Sequence, residues 1–158
     1  MGNATIKNRA LVEWCEDYEL GIPAIDCQHR VLVDCLNRLW DATVRHAPAS
    51  ELLGCVNELE VYVRCHFREE EEGMRQSSYP EYEAHEKAHQ RFSERVFRER
   101  VNIQADGYVT LDLIRFLHHW LLNHINVEDR HYADHAKAMA TPPSLFARFL
   151  DRLQRRSA

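Results

Sequence analysis

The stretch Leu52-Leu53-Gly54-Cys55-Val56-Asn57-Glu58-Leu59-Glu60-Val61-Tyr62-Val63-Arg64-Cys65-His66-Phe67-Arg68-Glu69-Glu70 sets apolar side chains in steps of three and four at Leu52, Val56, Leu59 and Val63. That period marks a helix with one buried face. The same stripe then runs into His66 and Glu70, an imidazole and a carboxylate where hydrocarbon belongs. Both features recur along the chain.

Proline and glycine divide the sequence around this helix. An N-terminal arm ends near Gly21-Ile22-Pro23, and a first helix runs to about His46. Ala47-Pro48-Ala49-Ser50 separates it from the quoted helix, which ends near Gln76. After Ser77-Ser78-Tyr79-Pro80 a third helix reaches about Gln104, and a fourth spans Thr110 to about Ala138. The expected inward stripes are Ile25, His29, Leu32, Leu36, Leu39, Thr43 on the first helix and Tyr82, His85, His89, Phe92, Val96 on the third. The fourth contributes Ile114, Leu117, Leu121 and His124. Four one-faced helices with short loops predict an all-α, up-down-up-down antiparallel four-helix bundle. One domain over residues 1–158 is expected, with the bundle at about 23–138 and a short C-terminal fifth helix at about 142–156.

Composition narrows the function classes. A net charge of −5 argues against a nucleic-acid binder, and no run approaches the ~18 apolar residues of a membrane span. Met1-Gly2-Asn3-Ala4-Thr5-Ile6-Lys7 lacks the apolar core of a secretory signal, so the cytoplasm is the expected location. Cys15, Cys27, Cys35, Cys55 and Cys65 are odd in number and scattered, which reads as reduced thiols.

Burying unpaired imidazoles and carboxylates costs several kcal/mol each, so His29, His66, Glu70, His85, His89 and His124 need a common cause. Height along the bundle supplies it. Counted up from residues 24 and 80 and back from 76 and 135, these six and Asp129 lie five to eleven residues from one end. They share a slab roughly 9 Å deep at 1.5 Å per residue. His66 and Glu70 share a helical face, as do His85 and His89. His124 and Asp129 are five apart and do not. Either Asp129 reaches sideways or the helix widens locally into a π-bulge. Seven donors exceed one ion and suit two, and imidazole with carboxylate favours iron, with manganese or zinc as alternatives.

The segments Asp26-Cys27-Gln28-His29, His66-Phe67-Arg68-Glu69-Glu70, His85-x-x-x-His89 and Trp120-Leu121-Leu122-Asn123-His124-Ile125-x-x-x-Asp129 together resemble the bacterial branch of the hemerythrin family. The lead-in Trp14 and Tyr18-Glu19-Leu20-Gly21-Ile22 is similar as well. The resemblance implies two iron ions with an oxo or hydroxo bridge. His85, His89 and His124 would hold one, His29 and His66 the other, and Glu70 and Asp129 would bridge them. The second ion would keep an open position for O2, or for azide in the oxidised form, walled by Phe67, Trp120, Leu121 and Ile125. An oxygen-binding protein rather than an enzyme is therefore expected. The rival readings are a di-iron redox enzyme acting on peroxide, nitric oxide or O2, and iron storage or detoxification. The donor set lacks the mainly Glu character of ferritin-like sites, which weighs against storage.

Other residues are expected to be ordinary. His46, His118, His119, His131 and His135 read as solvated, Cys27 and Cys65 as buried packing, and the run Glu69-Glu72 as solvated except for Glu70. Leu145, Phe149 and Leu153 make an apolar stripe on the tail that is expected to fold back on the bundle.

Overall fold

The computed structural model describes residues 10–140, and every regular element among them is helical. The helices are α1 (Pro23–Val44), α2 (Ala49–Gln76), α3 (Tyr82–Asp106), α4 (Leu111–Asn123) and α5 (Arg130–Ala140). A π-helical turn, His124–Asp129, joins α4 to α5 without a break, so the two make one fourth rod. α1 packs on α2 and α4, and α2 packs on α3. A short 3-10 turn, Glu16–Tyr18, precedes the bundle. The expected tail helix lies outside the described residues.

Local chemistry sets the ends. Pro23 opens α1 with its φ fixed and no N–H to leave unpaired. Gly107, at φ +79°, closes α3 in the left-handed conformation, its N–H donating to Ile103 O at 2.8 Å. Thr110 caps α4, its Oγ1 accepting from the Leu113 N–H at 3.1 Å. Asp26, in the first turn of α1, is buried and accepts from the N–H groups of Leu20 (2.7 Å) and Gly21 (2.9 Å). It ties the arm to the end of the bundle. Further out, Asn37 clamps the Val12 backbone from both sides, at 3.0 and 2.9 Å.

The predicted stripes are buried with two exceptions. Thr43 is half-exposed, its hydroxyl donating to Leu39 O, and Tyr82 is half-exposed at the mouth of the bundle. The apolar core falls into two pieces. The larger runs from Leu32 and Leu36 through Val56, Leu59, Val96 and Leu117. The smaller gathers Leu20, Ile25, Met74, Tyr79, Tyr132 and Ala133 at the end where α1 starts. The polar slab lies between them, with hydrocarbon on both sides.

Closure at that end depends on Gly73. A Cβ there would lie 2.4 Å from the Tyr132 hydroxyl, whereas the next ring atom is 3.5 Å away. Gly73→Ala should therefore cost about 1–3 kcal/mol through overpacking, less the ~1 kcal/mol that alanine gains as a helix former. Chemical denaturation should show a net loss in the single variant and recovery of most of it when Tyr132→Phe is added. An unchanged Gly73→Ala protein would show that this contact carries no packing constraint.

Candidate metal centre

Residues five apart on a regular α-helix point about 140° away from each other at 100° per residue. The π turn removes that offset, because its bonds run from i to i+5 and carry Asp129 back over His124. His124 Nε2 and Asp129 Oδ1 consequently lie 3.0 Å apart, both side chains almost wholly buried. Of the two arrangements that the sequence left open, the widened helix is the one found.

The seven residues meet in the slab as two groups. Glu70, His85, His89, His124 and Asp129 bring one ligand atom each within 4.8 Å of one another, and so do His29, His66, Glu70 and Asp129. Glu70 and Asp129 belong to both. Nε2 of His89 lies 3.1 Å from that of His85 and 2.9 Å from that of His124. Asp129 approaches His29 with one oxygen at 3.2 Å and His85 with the other at 3.3 Å. Glu70 Oε2 lies 3.4 Å from His89, 3.5 Å from His85 and 3.9 Å from His66.

Electrostatics set the demand. Burial alone would push the Glu70 carboxyl up, as would Asp129 beside it, yet His85 and His89 hold it down to about 2. Burial also opposes the charge of Asp129, but His124, His29 and His85 keep it well below the usual carboxylate range. Burial would discharge His124, but Asp129 and Glu128 raise it to about 10, whereas burial prevails at His66 and lowers it to about 4. The cluster therefore draws positive charge inward. Close as these contacts are, the buried oxygens of Glu70 and Asp129 and both ring nitrogens of His29 make no hydrogen bond of good geometry among the described residues. Unpaired groups of this kind are costly. Cations shared between the two groups would satisfy them, so the donor set fits a pair of metal ions.

The outer partners of the cluster were not among the residues expected from the sequence. Glu71 Oε1 lies 2.9 Å from Nδ1 of His89, with its side chain only 16% exposed, so the acidic run is not solvated throughout. Gln28 Oε1 lies 2.9 Å from Nδ1 of His66, and Glu128 Oε2 2.9 Å from Nδ1 of His124. Adjacency to ligands on packed helices was the signal available for all three. Cys27 and Cys65 are exposed, contrary to expectation, because neighbours of an inward-facing histidine turn outward by at least 100°. All five thiols are free. His131 is exposed as expected, but His135 is half-buried, with Nε2 2.9 Å from Ser77 O at the end of α2.

Beside His29 and His66 lies an apolar cavity with room for about one water-sized molecule. Phe67, Trp120 and Leu121 line it, together with Leu32, Leu36, Val63 and Phe92, and Ile125 is fully buried outside that lining. The aromatic rings also brace the ligands. Phe67 stacks on His89 at 3.6 Å between centroids, and Trp120 on His124 at 4.2 Å.

The helical bundle that carries these groups has counterparts among known proteins. Residues 20–136 match the hemerythrin HHE cation binding domain. The chain belongs to the hemerythrin family. It is 37% identical over 131 residues to a bacteriohemerythrin from Stenotrophomonas maltophilia, covering 82% of this chain and 84% of that protein. Hemerythrin subunit alpha of Lingula reevii is 34% identical over 127 residues, 80% of this chain and 97% of that one. The crystal structure of wild-type hemerythrin superposes with a TM-score of 0.75 at 28% identity, over 80% of this chain and 98% of that chain. Among the described residues no helix is long and apolar enough to cross a membrane.

Metal-loaded protein should carry two ions per chain by elemental analysis. Chelation should leave the helical circular dichroism in place, because the apolar stripes persist, while the melting temperature falls. The linkage amounts to about 2.7 kcal/mol when metal stands at 100 times its Kd. His89→Ala should lose metal in the same way without unfolding. One ion per chain, or a melting temperature indifferent to the chelator, would contradict the two-group reading.

Proposed function

We propose that the chain binds O2 reversibly at a pair of iron ions, one held by His85, His89 and His124 and the other by His29 and His66, with Glu70 and Asp129 shared. The observation that carries this is the inequality of the groups. One offers three imidazoles and the other two, beside a small apolar cavity. When bound, the iron pair supplies reducing equivalents and one open coordination position.

The protein's own residues account for reversibility. Leu121, Phe67 and Trp120 line the space against His29 and His66 and leave water little room. Their hydrocarbon surface admits a small apolar gas and offers no hydrogen bonds to water. His29 and His66 are themselves wholly or almost wholly buried, so no solvent proton reaches them directly. Five neutral donors against two carboxylates also leave the cluster less anionic than the Glu-rich sites that oxidise iron. Storage, delivery or sensing of O2 would all use this property, and azide would compete for the same position in the oxidised protein. A soluble, cytoplasmic setting fits the free thiols.

Protein reduced without air and then titrated with O2 should develop a visible absorption band that fades under vacuum and returns on re-exposure. Leu121→Ser should admit water and speed irreversible oxidation several-fold with iron content unchanged. Direct conversion of the reduced protein to the oxidised form in air, with no intermediate spectrum on the millisecond scale, would reject the carrier reading. Turnover of peroxide or nitric oxide would then be the activity to measure.

A further inference from the structure

All five imidazoles turn Nε2 into the cluster, and their outer nitrogens meet different surroundings. In the three-imidazole group two carboxylates stand outside: Glu71 is hydrogen-bonded to His89 Nδ1 at 2.9 Å, and Glu128 lies 2.9 Å from His124 Nδ1 as a charged contact without hydrogen-bond geometry. In the two-imidazole group the partner of His66 is the neutral amide of Gln28, at 2.9 Å. The remaining outer nitrogen there, His29 Nδ1, is buried with no hydrogen-bond partner among the described residues.

The orientation of Gln28 follows from its second contact. Its Nε2 donates to Glu69 Oε2, a carboxylate that can only accept. The amide oxygen must then face His66, which donates Nδ1–H to it and keeps the Nε2 lone pair for the cluster. A carboxylate at the same place would do more than orient the ring. It would make the imidazole a stronger donor and stabilise a higher charge on whatever Nε2 holds.

We propose that Gln28, Glu71 and Glu128 are positioning residues that divide the centre electrically. Glu71 and Glu128 make the His85–His89–His124 side the electron-rich, firmly held half. Gln28 orients His66 without adding charge, so the His29–His66 side, which borders the apolar cavity, remains the half that is easier to keep reduced. The inference rests on the di-iron reading above, but not on O2 binding.

Its test is a redox titration under argon, followed by absorbance, so that no oxygen chemistry enters. Glu71→Gln and Glu128→Gln keep an acceptor and remove a charge, and each should raise the midpoint potential. Gln28→Glu combined with Glu69→Gln exchanges donor and acceptor, preserves the hydrogen bond and total charge, and moves one negative charge onto His66. That exchange should lower the potential. Cobalt competition against a chelator provides a readout independent of iron. Glu71→Ala should weaken binding of the tighter cobalt ion about 10- to 100-fold, and Glu71→Gln should recover most of that loss. Potentials matching the wild type in all three variants, or a Glu71→Ala protein with unaltered cobalt affinity, would overturn the division. A wild type that fails to bind O2 reversibly would leave both measurements readable.

Discussion

Glu70 and Asp129 are sealed among five imidazoles in a layer that apolar clusters close off on both sides. Two ionised carboxylates in such a place require positive charge supplied from within arm's length, and that requirement organises the rest of the bundle. It explains why imidazole and carboxylate interrupt otherwise apolar stripes at one height on all four rods. It also explains the π turn. A regular helix would have aimed Asp129 away from the layer, and the widened segment His124–Asp129 exchanges ideal hydrogen bonding for a carboxylate turned into the layer.

Packing serves the same layer. Phe67 and Trp120 lie flat against His89 and His124, so the hydrophobic core fixes the ring planes while excluding water. Asp26 and Asn37 of α1 hold the arm against that helix through the backbone of Leu20 and Val12. Gly73 lets Tyr132 close the end beneath. Hydrocarbon, aromatic faces and hydrogen-bonded partners each restrict a different freedom of the same few donors. The remaining space is small and apolar, and it is bordered by both imidazoles of the two-imidazole group and by His124 of the other.

Much of this was legible in the chain. The three- and four-residue steps from Leu52 to Glu70 identify a one-faced helix, and the heights of His29, His66, Glu70, His85, His89, His124 and Asp129 bring them to one layer before any coordinates. What escaped the reading depended on angles that spacing leaves open. The interval from His124 to Asp129 raised two solutions that only a backbone could separate. Cys27 and Cys65 look close to ligands in sequence, but one or two residues of helix rotation carry them to the surface. Glu71 sits in a run of four acids that reads as solvated, yet its place on the α2 face toward α3 brings it to His89. Half-exposed Thr43 and Tyr82 show the limit of a simple stripe near helix ends, where the bundle opens.

If both cation sites draw on the same carboxylates, Glu70 and Asp129 should lie between two bound ions. Anomalous diffraction from crystals of the iron-loaded protein, recorded on both sides of the iron absorption edge, tests it most directly. Two iron peaks per chain are expected, one beside His85, His89 and His124 and one beside His29 and His66, with both carboxylates between them. A single peak, or a second one remote from Glu70 and Asp129, would contradict that arrangement.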